Sequence, residues 1–316
     1  MKLKQYKKLS GDASFRSFYR NEKSVIVYCK KEKKSNLLIY DAVNKILLKN
    51  KILAPKLLLE NFNKNYIEIE DFGDLTVFKK FKKKNSNKIY YFKKILKLLK
   101  KIQKIKDRKT KTFLRTKYEI NNYSKNKLIN EANLFLDWYL PKYIKGNKKI
   151  VLKKKIFKIY KNLTKQLIYK KNVFVHRDFH VSNIMITKKG LALIDNQDAI
   201  FGNVAYDLAS LIDDVRFKSN IKTKKFIFNE FLKMNKSINK EKFINDFEIL
   251  SVMRNLKIIG IFTRLSIRDG KHKYLKLIPY AWKLIETRIL NNKKFNSLKI
   301  LLDANFNKKI NNYYEN

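Results

Sequence analysis

The stretch at residues 173–209, VFVHRDFHVSNIMITKKGLALIDNQDAIFGNVAYDLA, decides the fold of this chain. An apolar run at residues 173–175 leads into a polar loop, and a second apolar run at residues 184–186 predicts a short buried strand. Residues 188–190 are typical of a hairpin turn, and residues 191–194 predict the returning strand. The hairpin would therefore bring two polar loops side by side.

These two loops carry an Asp, an Asn and a second Asp. His176, Arg177 and Asp178 are followed after four residues by Asn183, the H-R-D-x-x-x-x-N pattern, and Asp195 follows the hairpin. Phosphoryl transfer from ATP requires a protein to hold Mg2+ against the phosphates and to aim the acceptor hydroxyl in line with them. Asp178 would orient that hydroxyl and accept its proton. The Asn183 amide oxygen and the Asp195 carboxylate are hard ligands that suit Mg2+.

A less specific interpretation is that these residues are turn formers or solvated caps, because an Asp and an Asn five residues apart occur often by chance. The strand-loop-strand-loop context, with the second carboxylate in place, favours the phosphotransferase interpretation.

The motifs of this chain resemble those of the aminoglycoside phosphotransferase and choline kinase superfamily, whose metal loop carries I-D-x-x-D, as residues 194–198 do here. Within it, the chain is similar to the cell-wall-recycling kinases that phosphorylate the anomeric hydroxyl of N-acetylmuramate and N-acetylglucosamine. The resemblance covers nearly the whole chain. Its blocks are GDASFRSFYR (11–20), IEDFGD (69–74), HRDFHVSN (176–183), DNQDAIFGNVAYDLASL (195–211) and RNLKIIGIFTRLSIRDGKHKYLKLIP (254–279).

The resemblance implies a two-lobed, protein-kinase-like α+β fold. We expect a small, β-rich N-lobe that binds the nucleotide at residues 1–73. A larger helical C-lobe at residues 74–316 would carry the catalytic and metal loops and the acceptor-binding helices. The cofactors implied are ATP and Mg2+.

The N-lobe should contain a phosphate loop before its first strands. Gly11 and Ser14 precede an alternating run at residues 15–19, although a loop with one glycine could equally be a simple β-turn. No lysine is securely placed to hold the phosphates, and Arg16 or Arg20 could serve instead. Residues 37–49 have helical spacing but no obvious internal Glu, so the usual Lys–Glu ion pair stays unassigned.

Residues 66–69 predict a strand that runs into the interlobe hinge, where Glu70 and Phe72 would present backbone groups to adenine. From residue 75 the apolar spacing changes to the helical period, and residues 89–102 predict an amphipathic helix. The chain after residue 217 reads as helical.

The acceptor site is the least determined part. Glu131, Trp138 and Tyr139 could stack on and hydrogen-bond a sugar, or could simply pack a helix onto the lobe. Arg268 and Lys271, with Arg264 nearby, could receive a carboxylate, although a helix-end turn held by salt bridges is the alternative. His180 could touch the acceptor or a phosphate, or make a structural hydrogen bond.

Four further residues are expected to support the site rather than to react. His176 would fix the catalytic loop, Arg177 would pair with a neighbouring carboxylate, and Asp207 would accept backbone hydrogen bonds at a helix start. Asp198 would either help to bind the metal or cap the following turn.

Composition bounds the remaining possibilities. The 316 residues carry a formal charge of +47, mostly from lysine spread along the chain, which is typical of a coding bias and indicates solvated surface. The single cysteine, Cys29, excludes an intrachain disulfide, and the N-terminus lacks the apolar region of a signal peptide. We expect a cytoplasmic monomer with a small-molecule sugar substrate, no specific nucleic-acid partner and no membrane partner.

Two alternatives stay open at this point. One is a kinase of another small alcohol, such as choline, homoserine, an aminoglycoside or fructosamine. The other is a degenerate kinase fold that acts as a cationic binding protein, which the presence of Asp178, Asn183 and Asp195 argues against.

Overall fold

The hairpin predicted from the opening stretch is confirmed, and the rest of the chain can be described around it. The computed structural model describes residues 6–9, 16–22, 24–169, 172–290 and 292–306. The strands are β1 (Lys7–Leu9), β2 (Ser17–Asn21), β3 (Ser24–Tyr28), β4 (Leu57–Asn61), β5 (Tyr66–Glu70), β6 (Lys109–Lys111), β7 (Lys117–Glu119), β8 (Asn172–Val175), β9 (Ile184–Thr187), β10 (Gly190–Leu193) and β11 (Ile200–Asn203).

Helices make up most of the remaining described chain. They are α1 (Ser35–Lys49), α2 (Val77–Phe81), α3 (Lys88–Gln103), α4 (Lys125–Leu134), α5 (Leu140–Tyr143), α6 (Gly146–Lys165), α7 (Tyr206–Ile212), α8 (Ile221–Met234), α9 (Lys240–Asp269), α10 (Ile278–Ile289) and α11 (Asn296–Asn305). The segment Phe135–Tyr139 is π-helical.

The chain forms two compact units. The first comprises Met1–Asn122 and Val173–Phe201, and the second comprises Tyr123–Asn172 and Gly202–Asn316. The predicted hinge, catalytic loop and metal loop all belong to the first unit. The lobe boundary expected after residue 73 stays a prediction.

The first unit contains a five-stranded sheet of order β1-β2-β3-β5-β4, antiparallel throughout. Because side chains alternate along a strand, Val25 and Val27 of β3 share one face with Ile67 and Ile69 of β5. This face packs with Leu37 and Tyr40 of α1 in one apolar core. Cys29 belongs to the same core, and burial raises the pKa of its thiol to about 11.

The β9–β10 hairpin lies in the same unit and holds the two polar loops together. Its register pairs Ile184 with Leu193 and Thr187 with Gly190. Immediately beyond the first pair, the Ile194 amide donates to the Asn183 carbonyl over 3.1 Å. The residues that precede β9 and follow β10 are therefore neighbours, as the sequence predicted.

The second unit is built around α9, a helix of 30 residues packed by α4, α7 and α10. At Gly260 the helices approach so closely that a Cβ atom would lie 2.2 Å from the Leu134 carbonyl carbon. The π-helical turn begins at the next residue, Phe135. Throughout the described ranges, no helix has both the length and the apolar character needed to cross a membrane.

Candidate active site

The proposed catalytic loop begins where strand β8 ends, after the buried residues Phe174 and Val175. His176 is fully buried, and its Nε2 lies 3.1 Å from the Ile194 carbonyl oxygen and 2.9 Å from Oδ1 of Asn196. Arg177 follows in the left-handed region with φ of 74°. The imidazole thus joins the loop that follows β8 to the loop that follows β10, and the supporting role expected for His176 stays a prediction.

Asp178 and Asn183 are fixed relative to each other by a short hydrogen-bonded turn. The Asn183 Nδ2 and the His180 amide each donate to the Asp178 carbonyl over 3.0 Å. Because the Asn183 nitrogen is used in this way, its Oδ1 is the atom left to bind a metal. His180 is buried within the loop, with Nε2 3.4 Å from the Asn183 nitrogen.

Asp195 stands just beyond β10 in a left-handed backbone conformation. Its φ is 65°, in the left-handed region that most non-glycine residues avoid. Such backbone strain persists when the surroundings hold it and is common at functional sites. The side chain of Asp195 is 34% exposed, so part of the carboxylate is open to an incoming ligand.

The donor set suits a magnesium ion that is shared with phosphates. Asn183 and Asp195 offer an amide oxygen and a carboxylate, the ligand types that Mg2+ prefers. Among the residues that can be described, no group of three or more His, Cys, Asp and Glu could hold a metal alone. A metal at this position would therefore need phosphate oxygens or water to complete its shell.

Arg16 reaches the metal loop from the sheet. Its guanidinium is buried, with Nη2 2.5 Å from Oδ1 of Asp195 and Nη1 donating to Oε1 of Gln197. Arg20, the other arginine considered from the sequence, instead pairs with Asp71 and Asp74. The other residues expected in the phosphate loop, Gly11 and Ser14, lie outside the described residues.

Glu70 and Phe72 line a cavity of about 520 Å3 beside the hinge. Leu48, Leu53 and the tip of the β9–β10 hairpin also line it, and none of the proposed catalytic and metal residues does. The amide of Phe72 has no acceptor among the described residues, and the adenine contact expected at this position stays a prediction.

The remaining supporting residues include one that the sequence did not suggest. Arg177 donates to the Asp198 carbonyl over 3.2 Å, while the Asp198 side chain is 51% exposed. Asn44 of α1 accepts a 2.8 Å hydrogen bond from Asn196 and thereby extends the network that includes His176. A polar residue at a buried position of α1, where most of the buried residues are apolar, was the signal that could have identified Asn44.

The acceptor-site candidates other than His180 belong to the second unit, where Tyr139 requires a correction. Tyr139 is 1% exposed, stacks on Phe135 and accepts a 3.0 Å hydrogen bond from Trp282, so its ring is core packing. Trp138 is partly exposed. The Glu131 carboxylate accepts from the Tyr123 hydroxyl over 2.5 Å and pairs with Lys257 over 2.8 Å.

The predicted cationic loop at the end of α9 forms the helix-end turn considered as its alternative. Arg268 makes two hydrogen bonds to Asp269, and Gly270 adopts a left-handed conformation that lets the Lys271 amide donate to the Leu265 carbonyl. Unlike Arg268, whose guanidinium is paired with Asp269, Arg264 has a buried Nε with no hydrogen-bond partner among the described residues. Asp207 is fully buried in the first turn of α7. A carboxylate at this position interacts favourably with the positive end of the helix dipole.

Comparison with known proteins agrees with this arrangement. The sequence pattern of the phosphotransferase enzyme family matches residues 5–223, which include every proposed catalytic and metal residue. The chain belongs to the phosphotransferase enzyme family. It is accordingly a small-molecule kinase.

Two curated relatives of this phosphotransferase have the same name. The N-acetylmuramate/N-acetylglucosamine kinase of Pseudomonas aeruginosa is 25% identical over 302 residues, covering 93% of this chain and 86% of the relative. The protein of the same name from Pseudomonas putida is 23% identical over 279 residues, covering 85% of this chain and 79% of the relative.

Solved structures show the same fold at lower sequence identity. A choline/ethanolamine kinase family protein from Mesorhizobium loti superposes with a TM-score of 0.63 at 10% identity, covering 94% of this chain and 92% of the other. The ADP-bound aminoglycoside phosphotransferase APH(2'')-Ib superposes with a TM-score of 0.58 at 16% identity, covering 88% and 93%. The protein-kinase-like fold expected from the sequence is confirmed.

Proposed function

We propose that this phosphotransferase transfers the γ-phosphate of ATP, with Mg2+, to the anomeric hydroxyl of N-acetylmuramate or N-acetylglucosamine. The observation that carries the proposal is the β9–β10 hairpin, which holds Asn183 beside the residue preceding Asp195 while Asn183 itself fixes Asp178. The names of the two Pseudomonas relatives support the choice of acceptor.

Asp178 is the proposed general base. Its carboxylate would accept the proton of the acceptor hydroxyl as the oxygen attacks the γ-phosphorus, and the same hydrogen bond would aim that oxygen in line with the leaving group. Asn183 contributes twice, because its Nδ2 fixes the backbone of Asp178 while its Oδ1 would bind the metal. A bound Mg2+ would offset the charge that develops on the phosphate oxygens.

Asp195 would supply the negative ligand of the metal, and its left-handed backbone sets the direction in which the carboxylate points. Asp198 is more exposed and is held by Arg177, so we propose that it supports the metal loop. Glu70 and Phe72 would contribute hinge backbone groups to adenine. The Phe72 amide suits base recognition because it has no acceptor among the described residues, whereas the Glu70 amide already donates to the Lys56 carbonyl.

The acceptor-binding residues stay part of this proposal. Trp138 and Glu131 remain candidates for contact with the sugar. Lys271 and Arg264 are stronger candidates for a lactyl carboxylate than Arg268, because the Arg268 guanidinium is already neutralised by Asp269.

A turnover screen tests the function. The purified protein should consume ATP with N-acetylmuramate and N-acetylglucosamine, and should fail with their methyl glycosides, in which the anomeric oxygen carries no proton. Choline, homoserine, kanamycin and fructosamine should be poor acceptors. Turnover with one of these alone would overturn the acceptor assignment, and absence of ATP turnover with every acceptor would favour the binding-protein alternative.

A further inference from the structure

Strand β3, which is described in full, carries no lysine of the kind that kinases normally direct at the phosphates. In kinases this lysine lies on the third strand and pairs with a helical Glu. Here β3 carries Val25 and Val27 on the face that packs against α1, and Val27 is fully buried in the apolar core. The chain must therefore bring a phosphate-binding cation from elsewhere.

The helical partner of that ion pair is absent as well. The buried polar side chains of α1 are Asp41 and Asn44. Asp41 pairs with Lys45 of its own helix over 2.7 Å, and Asn44 is bonded to Asn196 and to the Pro55 carbonyl. Neither the strand lysine nor the helical Glu is present, so the whole Lys–Glu ion pair is replaced and not one residue of it.

Arg16 occupies the place next to the missing lysine. Phe18 of β2 pairs directly with Val27, and the alternation of side chains puts Arg16, two residues earlier, on the same face. The guanidinium carbon lies 5.6 Å from the centre of the Phe18 ring and 5.4 Å from that of Tyr40. Arg16 is 5% exposed. The two aromatic rings pack along its side chain, and its guanidinium lies at the metal loop.

The partner that Arg16 has found is the proposed metal ligand. Both Arg16 and Gln197 donate to the Asp195 Oδ1, over 2.5 Å and 3.3 Å, while Oδ2 has no hydrogen bond among the described residues. An arginine buried to this degree needs an anionic partner, because an unpaired buried charge is strongly destabilising. A phosphate group would suit the planar guanidinium equally well.

We infer that Arg16 is the residue that binds the nucleotide phosphates, and that Asp195 is its partner only until the nucleotide arrives. This inference rests on the proposed function. On binding, the phosphate would replace the Asp195 carboxylate at Arg16, and the carboxylate would become available to the metal. Each charge keeps a partner in both states, which makes the exchange feasible in a buried site.

Calorimetric titration of ADP and of adenosine, in EDTA and without metal, tests the phosphate contact. Arg16→Gln should lower the affinity for ADP by about tenfold to a hundredfold, the loss typical of a charge-assisted hydrogen bond. Its affinity for adenosine should change less than about twofold, which also shows that the variant is folded. Arg16→Lys should restore part of the loss, and Arg20→Gln should keep the wild-type preference for ADP over adenosine.

Asp195→Asn is a more discriminating test than Arg16→Gln, because the inference predicts a gain in ADP affinity where loss of a metal ligand alone would predict none. Without metal it should bind ADP more tightly than the wild type, since Arg16 is released from its carboxylate partner. The gain in ADP affinity should vanish in the Arg16→Gln/Asp195→Asn double variant, because it arises from the release of Arg16 from the Asp195 carboxylate.

Three results would contradict the inference. One is an unchanged preference for ADP in Arg16→Gln, another is loss of that preference in Arg20→Gln instead, and the third is a gain from Asp195→Asn that persists without Arg16. In each of these the wild type still binds ADP, so the proposed function survives. Failure of the wild type to bind ADP would contradict the proposed function as well.

Discussion

Asp178 is positioned by its backbone, since its carbonyl oxygen accepts hydrogen bonds from the His180 amide and the Asn183 side chain. Asp178→Asn should therefore keep the loop geometry and remove only the base. We predict a fall in turnover of about a hundredfold or more, the scale of a positioned general base, with nucleotide affinity retained. Steady-state kinetics and calorimetry on the same preparation measure the two quantities.

Asp303→Asn is a matched control for this variant, because it also neutralises one carboxylate, at an exposed ion pair with Lys299 on α11. Its turnover should equal that of the wild type. A rate near the wild-type value for Asp178→Asn, or an equal loss in both variants, would refute the assigned base.

At the scale of single residues, the sequence predicts only geometry that is local in the chain. Asp178 and Asn183 are five residues apart, and one turn of chain sets their geometry. Arg16 and Asp195 are separated by 179 positions, so only the folded sheet shows that Arg16, rather than Arg20, meets the metal loop. Tyr139 was misjudged for the same reason, because its partner Trp282 lies 143 positions away.

At the scale of elements, Gly260 determines how closely α9 and α4 can pack. An added Cβ would lie 2.2 Å from the Leu134 carbonyl carbon and 2.4 Å from the Phe135 nitrogen, both of which are backbone atoms. We predict that Gly260→Ala lowers the free energy of unfolding by about 1–3 kcal/mol or more, because the helices must move apart. Urea unfolding measures this change.

Ile267→Ala, at an exposed position of the same helix, provides the comparison and should change stability by less than about 0.5 kcal/mol. Equal stability of Gly260→Ala and the wild type would show that the close approach does not determine the packing.

The second element-scale feature is a buried carboxylate where α7 ends. Asp213 is fully buried and pairs with Lys224 over 2.9 Å and Arg288 over 3.0 Å. Burial alone would raise the pKa of this carboxyl, but the two cations together hold the pKa below its usual value. A lowered pKa means that the ionised form stabilises the fold at neutral pH, and that this contribution is lost as the pH falls below about 4.

Asp213→Asn should therefore lower the free energy of unfolding at pH 7 by about 3 kcal/mol, because two partly buried cations, Lys224 and Arg288, lose their partner. Its stability should also vary less than that of the wild type on acidification. Thermal unfolding between pH 7 and pH 3 compares the two proteins. A variant whose stability falls in parallel with the wild type would exclude Asp213 as a source of the acid sensitivity.

Periodicity predicted several elements well, and its failures are instructive. The helix expected at residues 89–102 is α3 (Lys88–Gln103), and the hinge strand expected at 66–69 is β5 (Tyr66–Glu70). The π-helical turn at Phe135–Tyr139 was not predicted. Apolar spacing cannot reveal it, since it lies where Gly260 of another helix meets the backbone.

At the scale of the whole molecule, the charge of +47 is the most unusual property. Several lysines lie over aromatic rings, including Lys34 over Phe62 and Lys94 over Tyr90, each with Nζ 4.4 Å from the ring centre. These contacts agree with lysines that cover apolar surface while their charged ends stay solvated. We therefore expect no specific nucleic-acid partner.

Any binding to DNA or RNA should accordingly fall steeply with salt and show no sequence preference, because it would depend only on phosphate charge. Fluorescence anisotropy with unrelated duplexes at increasing salt measures both properties. Tight, sequence-selective binding at about 0.2 M salt would show instead that the charge has a nucleic-acid function.

Phosphorus NMR of the product made from N-acetylglucosamine and ATP tests the central claim most directly. If Asp178 takes the proton of an anomeric hydroxyl, the product is an acid-labile sugar 1-phosphate whose phosphorus couples to the anomeric proton. The same signal should be absent when Asp178→Asn is incubated for the same time. A 6-phosphate ester, or a phosphorus signal only with an amino alcohol as acceptor, would contradict the account.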